Sequence, residues 1–158
     1  MELPNGVRFV TLSKPKLKDL WLKLMPFDRL FQDKMRGDEE AFVREMLSET
    51  CIILETDGGI LILNNIIEGL KAEAHLSFWD RKLSARKDLI KECLVWCFLV
   101  YNLRRIEVRS PEYAHHVHKF LVKRLGFTEE GIMRKCMWFK GNLTDMHLFS
   151  ILVEEVGN

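Results

Sequence analysis

Two side chains that can carry protons, Glu73 and His75, lie two residues apart in the segment 71–79. The segment is short, rich in apolar residues and bounded by turn residues, which predicts a β-strand. Because side chains alternate along a strand, one face carries Glu73, His75, Ser77 and Trp79 and the other carries Ala72, Ala74, Leu76 and Phe78. Glu73 and His75 are therefore candidate general bases. The structural alternative is a partly solvated face on which Glu73 pairs with a neighbouring cation.

Charge is concentrated directly after this strand. Residues 80–88 surround the N-terminus of a predicted helix and read Asp80-Arg81-Lys82-Leu83-Ser84-Ala85-Arg86-Lys87-Asp88. A helix N-terminus disfavours positive charge, so cations gathered beside its free backbone N–H groups indicate a site for phosphate groups. The structural alternative is a solvated basic loop whose cations pair with Asp80 and Asp88.

Histidines and cysteines raise the question of a metal site. His115 and His118 are three positions apart and share a helix face, with His116 between them in sequence. A zinc site needs further ligands in a closed geometry, and no partner pair is suitably spaced, so no metal site is predicted. Cys93 and Cys97 are four positions apart on an apolar stripe, which predicts core packing rather than ligation.

The composition limits the remaining possibilities. The chain has 158 residues, of which 47% are hydrophobic, and this predicts one domain over residues 1–158 with a sizeable core. The formal net charge of +1 gives no overall attraction to nucleic acid or to an anionic membrane. The first residues lack a secretory signal and the apolar stretch 89–101 is too short to span a bilayer, so we expect a cytoplasmic protein. Cys93, Cys97 and Cys136 lie in apolar segments and are expected to be reduced core thiols.

The hydrophobic pattern predicts an α/β fold with its elements in a definite order. A strand over residues 8–12 precedes helices over 14–25, up to about 35, and over 38–48; Ser13 and Asp38 are the expected caps. Strands follow over 51–55, 59–67 and 71–79, then a helix over 85–101 and a strand over 104–109. A last helix runs from a cap at Ser110-Pro111 to a stop at Gly126, before strands over 131–140 and 143–154 that are joined by a hairpin turn.

Two strings in the second half of the chain resemble a known family. The first, at the end of the last helix, reads Leu125-Gly126-Phe127-Thr128-Glu129-Glu130-Gly131-Ile132-Met133-Arg134. The second, in the final strand, reads Asp145-Met146-His147-Leu148-Phe149-Ser150-Ile151-Leu152. Together with the order of elements, they resemble the GCN5-related N-acetyltransferases (GNAT), and within these the Rim-type ribosomal-protein acetyltransferases. The resemblance covers the chain from about residue 70 to its end.

This resemblance implies a mixed, mostly antiparallel sheet of six or seven strands, in which strands 71–79 and 104–109 are parallel neighbours. It implies that acetyl-coenzyme A binds where these two strands part, with its pyrophosphate at the start of the following helix. The cofactor-binding residues expected on this basis are Leu76, Ser77, Phe78, Arg81, Lys82, Leu83, Ser84, Ala85, Arg86, Lys87 and His115. Glu73 matches a glutamate that is frequent in Rim-type proteins, which makes it the first candidate base and His75 the second.

Several positions depart from the family pattern. Ser84 and Arg86 stand where the phosphate-binding loop of the family has glycines that let the backbone approach the phosphates closely. Val122 occupies the position of a tyrosine that can protonate the departing thiolate, and His115 that of an asparagine. Ser84 can still donate a hydrogen bond and Arg86 can supply charge, whereas Val122 cannot donate a proton.

Three functional hypotheses follow. The first is an N-acetyltransferase that uses acetyl-coenzyme A and acts on a primary amine: a protein N-terminus, a lysine or a small amine. The second is a catalytically inactive domain of the same fold that binds a protein partner, as the departures from the family pattern would allow. The third is a nucleic-acid or ribosome-binding module built on Arg104, Arg105, Arg109 and the basic last helix, and the near-zero net charge disfavours it.

Overall fold

The computed structural model describes residues 1–80, 82 and 85–157. The strands are β1 (Arg8–Phe9), β2 (Cys51–Thr56), β3 (Gly59–Ile67), β4 (Lys71–Phe78), β5 (Arg105–Pro111), β6 (Thr128–Phe139) and β7 (Asn142–Leu152). The helices are α1 (Lys14–Leu24), α2 (Glu39–Ser48), α3 (Lys87–Val100) and α4 (His115–Phe120), and α4 continues into a π-helical turn (Leu121–Leu125). A short 3-10 turn (Asp28–Leu30) lies between α1 and α2.

The strands form one seven-stranded sheet in the order β1-β2-β3-β4-β5-β7-β6. Every neighbouring pair is antiparallel except β4 and β5, which run parallel. Because two parallel neighbours cannot be joined by a hairpin, the chain passes from one to the other through α3. The predicted mixed, mostly antiparallel sheet and the parallel placement of strands 71–79 and 104–109 are confirmed.

α1 and α2 cover one side of the sheet, which we call the α1/α2 face. Leu17 and Leu20 of α1 and Phe42 of α2 belong to one buried cluster with Ile53 of β2 and Ile62 of β3. Both helices are amphipathic, and their buried positions are spaced three and four residues apart, as a single apolar stripe requires.

α3 and α4 lie on the opposite side, the α3/α4 face. Leu94 and Cys97 of α3 are buried with Ala72 of β4, Ile106 of β5 and Phe149 of β7. Since alternate residues of a strand point to opposite faces, burial of Ala72 here directs its neighbours along β4 to the α1/α2 face.

Local signals fix the ends of several elements. Asp38 caps α2, because its carboxylate accepts a hydrogen bond from the backbone N–H of Ala41 at 3.0 Å. Gly126 ends the π-helical turn with a φ of +82°, a conformation that strains any other side chain. Lys140 and Gly141 both have positive φ and form the predicted hairpin turn between β6 and β7.

Two predictions about the early helices are wrong. The helical segment expected up to about residue 35 is only the 3-10 turn, because the backbone farther along pairs with the sheet: the N–H of Asp33 donates to the carbonyl of Trp138 at 3.0 Å. Ser13 occupies the N-cap position of α1, but its side chain makes no capping hydrogen bond.

The predicted cap at Ser110-Pro111 is also wrong. β5 continues to Pro111, which lies opposite Met146 of β7, and α4 begins only at His115. Beyond Val108, β5 has no register partner in β4, so this end of the strand resembles the edge of a sheet, where proline is tolerated.

The cysteine predictions hold at two positions and fail at a third. Cys93 and Cys97 are buried, and burial raises the pKa of their thiols to about 11 and about 12. Cys136 is exposed, because β6 is an edge strand whose register with β7 shifts between Met133 and Met137. No helix in the described residues is long and apolar enough to cross a membrane.

Replacing Asp38 with alanine is expected to lower the free energy of unfolding by about 0.5–2 kcal/mol, because the N–H of Ala41 loses its acceptor. Ser13→Ala is the matched control and should cost less, since the Ser13 side chain makes no capping bond. Urea unfolding followed by circular dichroism measures both values. Equal losses in the two variants would contradict the capping geometry.

Candidate active site

The parallel strands β4 and β5 stay together for only part of their length. Their register begins at Lys71 with Arg105 and stops at Ala74 with Val108. Beyond that point β4 remains paired with β3 up to Phe78, and β5 remains paired with β7. The two strands therefore part, and residues 75–78 of β4 and 109–111 of β5 border a gap that we call the wedge.

Side-chain size changes at the point where the strands part. On the α3/α4 face, the paired stretch of β4 carries Ala72 and Ala74, both fully buried, whereas the stretch along the wedge carries Leu76 and Phe78. Phe78 meets Phe120 of α4 edge to face, with the ring centroids 5.9 Å apart. Small residues thus let the sheet pack closely under the helices, and an aromatic pair fills the space beside the wedge.

On the α1/α2 face, an ion pair joins the two strands where they part. Arg109 Nη2 lies 3.2 Å from Glu73 Oε1. Glu73 belongs to the paired stretch of β4, and Arg109 is the first residue of β5 beyond the pairing. The Glu73 side chain is 16% exposed and the Arg109 side chain 40%, so the carboxylate lies deeper than the guanidinium. Glu73 therefore pairs with a neighbouring cation, as the structural alternative predicts.

His75 follows on the same face of β4, one position into the wedge. Burial lowers the pKa of its imidazole, and the positive charge of Arg109 adds to this effect, while Glu73 and Glu49 oppose it. The ring is therefore neutral at pH 7 and keeps a nitrogen lone pair that can accept a proton. The structure thus brings the two predicted bases together and gives them different charges.

Glu49 and Asn64 complete this polar group. Asn64 lies opposite Glu73 in the register of β3 with β4, and its Nδ2 donates to Glu49 Oε2 at 3.3 Å. The Oδ1 atom of Asn64 is buried and has no hydrogen-bond partner in the described part of the chain. We call Glu49, Asn64, Glu73, His75 and Arg109 the wedge cluster.

The charges nearer the start of β5 are engaged in holding the sheet together. Glu107, which is buried, accepts hydrogen bonds from Lys71 Nζ at 2.9 Å and from Arg105 Nε at 3.0 Å. Burial would raise the pKa of Glu107, but these hydrogen bonds outweigh burial and lower it. Arg105 also binds Glu130, and this hydrogen bond is the main cause that lowers the pKa of Glu130 to about 2. This network links β4, β5 and β6.

The connection between α1 and α2 crosses the α1/α2 face to reach the β6–β7 hairpin. The carboxylate of Asp33 accepts hydrogen bonds from the backbone N–H groups of Lys140 and Gly141 at 2.7 and 2.8 Å. The bond from Gly141 contributes most to lowering the pKa of Asp33. Tyr113, just after β5, donates its hydroxyl to the carbonyl of Arg29 at 3.0 Å. The connection is thus fixed at two points and forms a wall on the side of the wedge that carries the wedge cluster.

The predicted cofactor residues of β4 divide between the two faces. Ser77 shares the α1/α2 face with His75, whereas Leu76 and Phe78 point to the α3/α4 face. There they line an apolar cavity together with Leu89, Ile90 and other core residues. Side chains of Leu76 and Phe78 therefore belong to the core, and the backbone edge of residues 75–78 that β5 leaves unpaired is what β4 presents to a ligand.

The start of α3 presents cations beside an uncapped helix N-terminus. Arg86 is the N-cap residue and makes no side-chain capping bond, so the N–H groups of the first turn are left for another acceptor. Lys82, Ala85 and Arg86 are exposed and Lys87 is half-buried. None of the three cations forms an ion pair within the described residues.

Asp80 accepts a hydrogen bond from the backbone N–H of Lys82 at 2.9 Å. The predicted contacts Arg81, Leu83 and Ser84 lie outside the described residues.

The histidines of α4 make contacts within the protein. Nε2 of His118 lies 3.0 Å from the carbonyl oxygen of Pro111, and its ring lies against that of His147 at a tilt of 34°, with the centroids 4.5 Å apart. Nδ1 of His147 lies 2.5 Å from Glu129 Oε1. Among the described residues, no group of three histidine, cysteine or acidic side chains is arranged to hold a metal ion.

Two positions that matter in the family are accessible on α4 and the turn that follows it. His115, the first residue of α4, is exposed. Val122 lies seven positions later, two helical turns on, and is 43% exposed. The position that the sequence resemblance assigns to the family's tyrosine is thus open, and the valine there offers no proton donor.

Sequence reasoning brought Glu73 and His75 together but missed the groups around them. Arg109 enters the sequence analysis only as part of a basic surface. Its role beside Glu73 follows from the parallel register, which places Glu107 next to Glu73 and Arg109 one step farther on the same face. Nothing local marks Glu49 or Asn64, because Glu49 reaches the site from the end of α2 and Asn64 from β3.

Known proteins resemble this chain in structure rather than in sequence. No protein-family model matches the sequence, and a search of curated proteins gives no match. RimL, a ribosomal-protein α-N-acetyltransferase in complex with coenzyme A, superimposes with a TM-score of 0.73 at 12% identity, covering 98% of both chains. RimJ from Mycobacterium smegmatis, in complex with a coenzyme A disulfide, gives 0.73 at 19% identity, over 96% of this chain and 83% of that one.

A third solved structure is a small-molecule enzyme. Spermidine N-acetyltransferase from Vibrio cholerae, in complex with coenzyme A and spermine, gives a TM-score of 0.70 at 17% identity, over 98% of this chain and all of that one. The chain therefore has the GNAT fold, which confirms the resemblance to GNAT and Rim-type proteins at the level of structure.

The imidazole of His75 is expected to titrate below its ordinary pKa of 6.5. Arg109→Gln should raise this pKa by removing a nearby positive charge, and Glu73→Gln should lower it. NMR titration of the histidine ring protons measures the effect, with His75→Gln to assign the signal. Because the unfolded chain binds this proton more readily, His75 should also make stability fall as the pH drops below about 6.5. Shifts of the His75 pKa in the same direction in both variants would contradict the geometry.

Proposed function

We propose that this protein is an N-acetyltransferase that transfers the acetyl group of acetyl-coenzyme A to a primary amine. The observation that carries the proposal is the wedge. Two parallel strands part beside a cluster that holds a neutral imidazole and carboxylates, and the next helix starts with cations that form no ion pair among the described residues. This arrangement offers one place for an extended ligand, one for its phosphates and one for proton transfer.

The residues present fit acetyl-coenzyme A, which would supply an acyl group activated as a thioester. The free backbone edge of residues 75–78 suits an amide-containing chain that adds alongside β4. Lys82, Arg86 and Lys87, together with the first N–H groups of α3, suit phosphate groups. Arg86 stands at a glycine position of the family and contributes charge where the family relies on close backbone approach. The coenzyme A bound to RimL and RimJ supports the same assignment.

On the acceptor side, His75 is the group suited to take a proton. An amine is largely an ammonium ion at neutral pH and must lose a proton so that its nitrogen can attack the thioester carbonyl, form the C–N bond and expel the thiolate. The neutral ring of His75 can accept this proton, whereas Glu73 is already paired with Arg109. Glu73 is better suited to hold the ammonium form beside His75. This reverses the order in the sequence analysis, where Glu73 is the first candidate base.

Acetyl-coenzyme A should raise the thermal unfolding midpoint of the protein, because a ligand that binds only the folded state stabilises it. Arg86→Gln should weaken binding by roughly tenfold, since a charge-assisted hydrogen bond contributes about 1.5 kcal/mol. Lys16→Gln, on the exposed side of α1, is the matched control. Calorimetric titration measures the dissociation constants.

Arg86→Gly tests the opposite possibility at the same position. If the arginine side chain blocked the phosphate loop, the glycine variant would bind acetyl-coenzyme A more tightly than the wild type. Unchanged affinity in both Arg86 variants would show that the loop is placed wrongly. Absence of any binding by the wild type would favour the catalytically inactive domain.

His75→Gln should lower kcat by about 10²–10⁴-fold at neutral pH, as expected for the loss of a general base, while the affinity for acetyl-coenzyme A stays the same. Glu73→Gln should mainly raise KM for the amine, because it removes the charge that holds the ammonium form. His116→Gln and Glu68→Gln, both exposed and outside the site, are the matched controls. A full loss of kcat in Glu73→Gln with an active His75→Gln would assign the base to Glu73.

A further inference from the structure

The carboxylate that is expected to bind an incoming amine, Glu73, already has a cationic partner. The guanidinium of Arg109 lies 3.2 Å from Glu73 Oε1, on the carboxylate to which the proposed function assigns the ammonium form of the acceptor. An ammonium ion that binds Glu73 must therefore share this carboxylate with Arg109 or displace it. Which amines can bind therefore depends on whether Arg109 stays on Glu73 or finds another partner.

Displacement would leave the guanidinium of Arg109 without a counter-ion. Among the described residues, Glu73 is the only side chain with which Arg109 forms an ion pair. Two neighbouring carboxylates are already engaged, since Glu107 binds two cations and Asp33 binds Arg36 and the hairpin backbone, whereas Glu49 accepts only the hydrogen bond from Asn64. The Arg109 side chain is 40% exposed, so water solvates its charge in part, and the unpaired guanidinium is then available to an anionic group of the ligand.

A polyamine faces a second difficulty at the same entrance. Arg36 and Lys140 both lie against the ring of Phe139, at 5.5 and 5.4 Å from its centroid, on the wall beside the wedge. With Glu73 paired, Glu49 is the carboxylate of the wedge cluster that has no ion pair within the described residues. Because Arg36 is paired with Asp33, the unpaired cation on this wall is Lys140, and a ligand with several positive charges finds only Glu49 unpaired among the carboxylates of the wedge cluster in the described residues.

An amine that also carries an anionic group restores both ion pairs. Its ammonium binds Glu73, and its anion binds Arg109, whose planar fork of N–H donors matches a carboxylate. The Arg109 side chain is 40% exposed, so a ligand can reach it. We infer that Arg109 determines acceptor specificity and that the acceptor is an amine with a carboxylate close to it, as in an acidic residue at a peptide N-terminus or in a free acidic amino acid. This inference rests on the proposed function.

The test compares acceptors that differ in one charge. Two lysine-free hexapeptides with amidated C-termini begin with glutamate or glutamine and are otherwise identical, and mass spectrometry before the assay confirms that neither N-terminus has cyclised to pyroglutamate. Free glutamate and spermidine complete the set. The wild type should acetylate the glutamate peptide with a kcat/KM at least tenfold above that of the glutamine peptide, and spermidine least well. Free glutamate distinguishes an amino-acid acceptor from a peptide acceptor, according to which of the two is acetylated faster.

The Arg109→Gln variant should lose this preference, so that the two peptides react within about threefold of each other, while its affinity for acetyl-coenzyme A is unchanged. Arg104→Gln removes a positive charge at an exposed position outside the site and should keep the wild-type preference. Equal use of both peptides by the wild type, preferred use of spermidine, or a preference that survives in Arg109→Gln would each overturn the inference.

A binding experiment without acetyl-coenzyme A separates this inference from the proposed function. Calorimetry should show that the wild type binds the glutamate peptide more tightly than the glutamine peptide and that Arg109→Gln does not. If the wild type discriminates between the two peptides in binding but neither binds acetyl-coenzyme A nor transfers an acetyl group, the proposed function is overturned and the Arg109 contact is supported. Acetyl transfer without discrimination would support the function and overturn the contact.

Discussion

The site depends on a competition between neighbours of β4 and β5. Each strand has an antiparallel partner on its outer side that continues beyond Ala74 and Val108, and each follows that partner when the parallel pairing stops. The wedge is the result, so it is built into the sheet and does not depend on a mobile loop. Ala72 and Ala74 allow the helices to pack closely where β4 and β5 are paired, and the larger Phe78 fills space where the two strands have separated.

The same parting creates the electrostatics of the site. Where the strands pair, the charges of Lys71, Arg105 and Glu107 satisfy one another across the ladder. Where the pairing ends, Arg109 reaches back to Glu73, and His75 is left beside them without a charge of its own. On the α1/α2 face, the ion pairs that hold the sheet together are therefore followed, a few residues farther along the strands, by the wedge cluster, whose side chains can exchange partners.

The sequence predicts the sheet well and the site only in part. Strand periodicity and glycine-marked turns are local signals, so β2, β3, β4 and the β6–β7 hairpin follow from them directly. Ser110-Pro111 misleads because the same dipeptide can start a helix or finish a strand, and the end of the register with β4 decides which. Arg109, Glu49 and Asn64 meet His75 only through strand order and register, which no local pattern contains. The sequence allows Glu73 to pair with a neighbouring cation but does not identify that cation as Arg109, for the same reason.

Proton affinities explain how the proposed acetyl transfer could proceed with Val122 at the position that the resemblance assigns to the family's tyrosine. A thiol has an ordinary pKa of about 8.5, so a thiolate can leave near neutral pH without a positioned acid. The harder step is removal of a proton from the ammonium form of the acceptor. Its pKa is about 10.4 for a lysine side chain but only about 8 for the α-amino group of a peptide. A histidine whose pKa lies below the ordinary range is a weak base, and the gap that it must bridge is more than two units smaller for a peptide N-terminus. The depressed basicity of His75 and the pairing needs of Arg109 therefore favour the same acceptor, an acidic peptide N-terminus.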